Sequence, residues 1–367
     1  MIFTVTPVVL LVVVASMAMS TRLRGDTSPE AVVMPPGAPR VVFAEFGLNE
    51  DRIYSAPADA LNNRTLHATV PHAPGWGLNP AVAIAGALVA YTILPEDSAP
   101  DRGASAELWM LDITTQNLTR LARDADLLAP PVFVDDGTAL VYRRSQGTAQ
   151  ELVRVSVTEL TREVVHREQT SFGIFPLGTA RGHDLLFTRI SPEGTDLYSV
   201  HPDGAIERLF QLSEELARDW HVSPAGDAIA FLAPMFDGER AVHRARVVAL
   251  DSSNDWTPPV PGEGTDTALS EQYAPIWSPD GSAITIGQEA PSGSQAAALL
   301  ALDGAHELLP PPEAGFDVPL GWSADGRYLM ARSFDGVNSN QPGIERTVLI
   351  DRTGARITLE VTSEVIF

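Results

Sequence analysis

Trp277-Ser278-Pro279-Asp280-Gly281 is a turn with a buried-looking aromatic residue in front of it, and it returns forty-five residues later as Trp322-Ser323-Ala324-Asp325-Gly326. Looser copies stand upstream as Val222-Ser223-Pro224-Ala225-Gly226 and Phe133-Val134-Asp135-Asp136-Gly137, and degenerate ones end at Gly182 and Gly86. Successive turn glycines are 44 to 55 residues apart, with a mean of 48. In such a turn the aspartate hydrogen-bonds its own backbone and the glycine accepts a positive φ. Asp136, Asp280 and Asp325 therefore read as turn formers rather than metal ligands. Trp277 and Trp322 read as packing between repeats rather than as ligand platforms.

Working outward from each turn, the chain repeats a short apolar alternation, as in Ala283-Ile284-Thr285-Ile286 and Tyr328-Leu329-Met330-Ala331. A loop of variable length follows, then a second alternating segment (residues 298–303 or 347–351), a glycine-containing turn such as Pro202-Asp203-Gly204, and a third segment such as residues 205–210. Alternation, β-branched content and glycine turns mark these segments as strands. With the strand that enters the turn, each unit holds four short antiparallel strands. A period near 48 with four strands describes the blade of a β-propeller, an all-β ring in which each blade buries its apolar faces only against its neighbours. Long helical periodicity is absent; only residues 212–220 suggest a short helical turn.

Six repeats carry the turn. An incomplete unit precedes them, with strands at Val41-Val42-Phe43-Ala44, Ile53-Tyr54-Ser55 and residues 65–70, and it lacks an entering strand. The tail Ser363-Glu364-Val365-Ile366-Phe367 is left over at the other end. Seven four-stranded antiparallel blades, closed by strands from both termini, account for all of these segments and remove open sheet edges. Six blades with frayed ends is the alternative.

The Trp277–Gly281 and Trp322–Gly326 stretches resemble the WSPDG repeats of TolB-type propellers, which also occur in the propeller domains of prolyl-oligopeptidase-like peptidases. The resemblance covers residues 40–367 and rests on a fold signature, not an active-site signature. It implies an exported propeller that docks other proteins.

The first residues fit export. Residues 2–18 are mostly apolar, Val8 to Ala15 form an unbroken apolar run, and Ser16-Met17-Ala18 matches the small-x-small pattern of signal-peptidase cleavage. Arg22 and Arg24 follow the run and none precedes it, the charge order of an uncleaved anchor with a cytoplasmic C-terminal flank. Residues 1–18 are thus expected to be a signal peptide or membrane anchor, residues 19–39 a flexible linker and residues 40–367 the propeller. A periplasmic or secreted location follows, with attachment through residues 2–19 as the variant.

Composition narrows the chemistry. The 367 residues carry 25 basic and 47 acidic side chains, a formal charge of −22; every basic residue is arginine, and cysteine is absent. Schiff-base amines, P-loop lysines, thiol nucleophiles and thiolate zinc sites are excluded. Such a charge also disfavours nucleic acid and anionic membrane surfaces, so membrane contact is expected only through the N-terminal segment. No Gly-x-Ser-x-Gly elbow or His-Glu-x-x-His pair occurs. The eight histidines are scattered; His221, beside Trp220 on an entering strand, is the one placed to approach the central channel. Nothing in the sequence assigns a catalytic residue, a metal or a cofactor, and the chain reads as a monomer.

Function is expected on one face. The long loops within repeats (94–106, 233–243, 288–296, 333–345) and between them should emerge together, and they carry many carboxylates. Binding residues concentrate on loops held by a rigid scaffold. Asp97, Asp101, Asp237, Glu239 and Asp335 on these loops, with His221 at the channel, are the candidate contacts of a non-catalytic scaffold for a protein, peptide or glycan. The alternative is a lyase- or hydrolase-type enzyme, acting on a small molecule or polysaccharide, with its site at the channel mouth. Lyase propellers of similar architecture use clustered histidines with a metal.

Overall fold

The structure, a computed structural model, describes residues 40–78, 82–99, 104–170, 172–237, 240–258, 270–290 and 293–359. Seven small sheets follow one another along these residues. Blade 1 holds Arg40–Phe46, Glu50–Pro57 and Thr65–Pro71. Blades 2 to 6 hold four strands each, over residues 82–126, 132–169, 173–213, 218–256 and 272–308. Blade 7 occupies residues 315–358, with Ser294–Gln295 paired parallel to the start of its first strand, Gly315–Trp322.

The first strands mark the axis. Val82–Ala85 lies against Val132–Val134, that strand against Gly173–Thr179, and so on through Arg218–Val222 and Gln272–Trp277 to Gly315–Trp322. Gln272–Trp277 is buried along its whole length, whereas the fourth strands Arg162–Gln169 and Ile206–Ser213 are largely exposed. Each blade therefore runs from the channel to the rim. Between neighbours the alternating side chains interlock; a fully buried Leu, Ile or Phe contributes about 1.5–3 kcal/mol, and Phe231, Leu186, Leu197 and Ile229 form such a cluster between blades 4 and 5.

The ring closes through blade 1. Val42 and Ile53 share one buried cluster with Val89 and Tyr91 of blade 2 and with Leu320, Tyr328 and Met330 of blade 7. The propeller thus has seven blades, and the six-bladed alternative falls away. The expected closing strand at residues 363–367, like the leader and linker at residues 1–39, lies outside the described residues.

The repeated turn does what its residue types dictate. Ser278 Oγ donates to Asp280 Oδ1 (2.6 Å) and accepts from the Ala283 amide (3.0 Å), while Asp280 Oδ1 also takes the Ser282 amide and hydroxyl. These bonds, led by the one from Ser278, hold the Asp280 carboxyl down at about 2. Blade 5 has Ala225 at the aspartate position, and Asp227 takes over, accepting from Ser223 Oγ at 2.8 Å. Trp277 donates its indole N–H to the His221 carbonyl and Trp322 to Thr285 Oγ1, both at 2.8 Å, so each tryptophan seals its blade against the preceding one.

Two expectations are corrected. Residues 212–220 form no helical turn: Thr195 Oγ1 accepts from the Ala217 amide and donates to the Glu215 carbonyl, pinning the chain as a loop over blade 4 before it enters Arg218–Val222. Residues 233–243 are not a long irregular loop either. Ala228–Asp237 and Arg240–Ala249 stay in register out to Asp237 opposite Arg240, because the strand alternation simply continues.

Candidate docking face and channel mouth

The loops from second to third strands and those between blades meet on one face. The Gly75 amide, in the link from blade 1 to blade 2, donates to the Leu48 carbonyl at the tip of the Phe46–Glu50 turn. Likewise the Ala290 amide of blade 6 donates to the Val337 carbonyl of blade 7, and Gly315 to Gly293. These hydrogen bonds hold the loops of blade 1 and those of blades 6 and 7 against their neighbours on this face.

Its most distinctive residues are apolar. Seven large apolar side chains among the described residues are more than half exposed, and six of them (Leu48, Leu128, Phe172, Leu216, Phe236 and Ile344) belong to this face; Leu308 is the exception. Blade 1, the links into blades 3, 4 and 5, the hairpin end of blade 5 and the long turn of blade 7 each contribute one, with Met235 beside Phe236. Isolated exposed apolar residues mean little; six of them on one face make it the candidate interaction surface.

The expected acidity of the face is partly spent internally. Asp124 pairs with Arg144 and Arg162, Asp126 with the buried Arg143, and Glu345 with Arg332. Asp317, fully buried, takes a two-pronged grip from Arg356 at 2.8 and 2.9 Å. Asp335 accepts from the Ile344 amide at 2.6 Å and faces Arg346 at 3.5 Å, so its carboxylate shapes its own loop. Asp97 is exposed on a turn in which the Ser98 amide bonds the Pro95 carbonyl. Asp237 ends the second strand of blade 5. Asp101 and Glu239 lie outside the described residues. These positions are spread over blades 2, 5 and 7 rather than gathered into one cluster. Glu214, Glu215 and Glu313 remain exposed beside the six apolar side chains.

At the channel, the first strands of blades 4 to 7 all slip register, between Pro176 and Gly178, Arg218 and His221, Tyr273 and Ile276, and Pro319 and Gly321. Bulges of this kind re-aim side chains next to functional sites. In blade 5 the slip holds Asp219 at φ +54°, a conformation that ordinary residues avoid. His221 keeps its Nε2 away from solvent and without a hydrogen-bond partner, and burial pushes the ring down to about 4. Burial likewise raises the Asp219 carboxyl, opposed by Arg218 and His243 and reinforced by Glu271.

Sequence spacing gave no hint of the cluster around Glu271. Its Oε1 lies 3.0 Å from Arg218 Nη2 and 2.8 Å from His243 Nδ1, and its Oε2 accepts from the His243 amide at 2.7 Å. Burial would raise the Glu271 carboxyl, but the hydrogen bonds from His243 and the Arg218 charge outweigh it and hold the group ionised below its ordinary range. Three polar side chains thus converge where blades 5 and 6 meet the channel. Other histidines lie elsewhere: His67 bonds Ser55 and His72 faces Asp51, both in blade 1, and His201 faces Asp184 in blade 4. Among the described residues no three His, Asp or Glu side chains form a group that could hold a metal ion, and no helix is long and apolar enough to cross a membrane.

No protein-family model matches the chain, and no curated protein matches it. Solved structures do. A TolB from Acinetobacter baumannii matches at 13% identity with a TM-score of 0.51, covering 75% of this chain and 64% of that one, so the chain spans less than two thirds of the TolB length. An oligogalacturonate lyase from Vibrio parahaemolyticus matches at 13% identity and a TM-score of 0.57, over 87% of this chain and 84% of the lyase. The β-propeller domain of the Trilobed protease from Pyrococcus furiosus, described as having an open velcro topology, matches at 12% identity and 0.54 over 87% and 93%. One architecture is common to a TolB, a lyase and a protease domain, so it identifies the fold and not the chemistry. In its fold, then, the chain is a TolB-like, seven-bladed β-propeller.

Proposed function

We propose that this protein is a non-catalytic scaffold, exported or tethered through its N-terminal segment, that docks a protein partner on its long-loop face. The observation that carries this reading is the set of six exposed apolar side chains on that face, rimmed by Glu96, Asp97, Glu214, Glu215 and Glu313. Apolar anchors inside a charged rim are the usual anatomy of a protein interface. The fit to a TolB supports the architecture only; the docking role rests on the surface itself. A partner with apolar anchors and a basic margin would match it, and a glycan would not use six aliphatic and phenyl groups. The test is a pair of surface variants compared in affinity capture from the source cell envelope. Leu216→Asp with Phe236→Asp should lose the captured protein, whereas Leu118→Asp with Ile206→Asp on the opposite face should retain it. Equal capture by both would remove the reading.

A second reading, catalysis at the channel mouth, is favoured by the convergence of Arg218, His243 and Glu271. A carboxylate that holds one imidazole nitrogen leaves the other to carry a proton. Incubation with oligogalacturonate, the substrate class named for one structural neighbour, tests it through release of unsaturated uronides. Turnover abolished by His243→Ala would support it, and no turnover would dismiss that substrate.

A further inference from the structure

The tryptophan that seals the last two interfaces is missing between blades 4 and 5. Counting from the turn glycines, Val222 of blade 5 stands where Trp277 stands in blade 6 and Trp322 in blade 7. Trp322 packs back onto blade 6 against Leu299 and donates to Thr285 Oγ1, and those two residues are directly paired across neighbouring strands. The corresponding pair on blade 4 is Leu186 with Ser199. Tryptophan has thus become Val222 and leucine Ser199, while the threonine position has become Leu186, which is fully buried.

An open cleft is lined by Leu186 and Ser199 of this pair. The cleft, of about 570 Å³, runs between blades 4 and 5 on the short-turn face, opposite the docking face, against about 280 Å³ at the interface that Trp322 fills. The larger volume lies in the range of ordinary ligand sites. Leu186, Leu209 and Leu250 line it. Ser199 is 2% exposed, lines the cleft, and its Oγ has no hydrogen-bond partner. A buried hydroxyl without a partner is costly, and a guest N–H would satisfy it. Around the opening stand Asp184, Glu207, Asp227 and Asp251. Arg181 answers Asp227 at 3.2 Å and His201 sits between Asp184 and Glu207 at 3.0 and 3.5 Å, so the rim is net negative.

We propose that this cleft binds the aromatic side chain of a cationic peptide segment, the guest ring taking the place that tryptophan occupies at the next two interfaces. Ser199 Oγ, across the strand pair from the Leu186 that stands at the Thr285 position, accepts the indole N–H. The peptide's positive group lies against Glu207 and Asp251. This site is independent of the long-loop face, and the two proposals stand or fall separately.

Titration calorimetry with three capped dipeptides, Ac-Trp-Arg-NH2, Ac-Trp-Glu-NH2 and Ac-Ala-Arg-NH2, tests it on the purified protein. Ac-Trp-Arg-NH2 should bind at least tenfold more tightly than either of the others. Val222→Trp should abolish that binding while keeping or raising the melting temperature, since it installs the residue that blades 6 and 7 use. Should that variant fail to fold, Ser199→Leu fills the cleft from the other wall and should also weaken binding. Glu207→Gln with Asp251→Asn, both on the surface, should bring Ac-Trp-Arg-NH2 and Ac-Trp-Glu-NH2 to similar affinity. Absence of binding by the unaltered protein, equal affinity for all three dipeptides, or binding undiminished by filling the cleft would each overturn the proposal. Leu216→Asp with Phe236→Asp should leave this binding unchanged.

Discussion

Replacing His221 with phenylalanine removes one buried titrating group from the channel wall and leaves a ring of similar shape. In the folded protein burial holds this imidazole at about 4, against 6.5 for an unfolded chain. As pH falls below 6.5 the unfolded chain takes up a proton that the folded chain refuses until about pH 4, so acid favours unfolding across that window. The loss is absent at pH 8, reaches about 2 kcal/mol at pH 5 and levels near 3 kcal/mol below pH 4, at 1.36 kcal/mol per pKa unit. The ring retains some exposure to the channel, so these figures are upper bounds. Asp219, two residues away, titrates in both proteins and drops out of the difference to first order. Urea unfolding of the unaltered protein and of His221→Phe at pH 5, 6, 7 and 8 reads the effect. The stability gap should move in favour of the variant by about 1–2 kcal/mol between pH 8 and pH 5. A gap constant within ~0.5 kcal/mol would show that the ring is solvated, and the burial argument for the channel wall would fail.

Trp322→Ala should cost about 3–5 kcal/mol by opening a cavity between blades 6 and 7, and Trp322→Phe about 1–2 kcal/mol by leaving Thr285 without its donor, both measurable as a lowered melting temperature. Arg356→Met should cost about 3–5 kcal/mol, since Asp317 is fully buried and loses both charged bonds, and Asp317→Asn in the same chain should recover part of it in a double-mutant cycle. Gly226→Ala should destabilise by more than about 1 kcal/mol, because a Cβ there would stand 2.7 Å from the Arg181 amide nitrogen at φ +66°. Urea titration at neutral pH measures the last two.

The ring was legible because its determinants are local. The Ser278-to-Gly281 turn, the alternation after it and the tryptophan before it each express one short-range rule, and seven blades follow from counting the segments those rules produce. The surface was legible only in outline. Leu48, Leu128, Phe172 and Leu216 are single apolar residues in loops, and a lone loop apolar residue carries no signal until the fold places several on one face. The carboxylates that do cluster in sequence, such as Asp124 and Asp126, turned inward to Arg144, Arg162 and Arg143, partners up to 38 positions away. Arg218 and Glu271 are 53 positions apart, and no spacing rule joins them. Residues 212–220 misled for the same reason: local propensity favours a helix there, but Thr195 of the neighbouring strand takes the backbone bonds the helix would need. The cleft between blades 4 and 5 is the reverse case. Val222 in place of tryptophan is visible in the repeat alignment, although its consequence appears only when the volume behind it is seen.

The most direct test of the docking face is hydrogen–deuterium exchange of the protein alone and with its captured partner. Protection should fall on the segments around Leu48, Leu128, Phe172, Leu216, Phe236 and Ile344, with the turns at Gly226, Gly281 and Gly326 unchanged. Protection confined to those turns, or to the outer strands, would contradict the assignment.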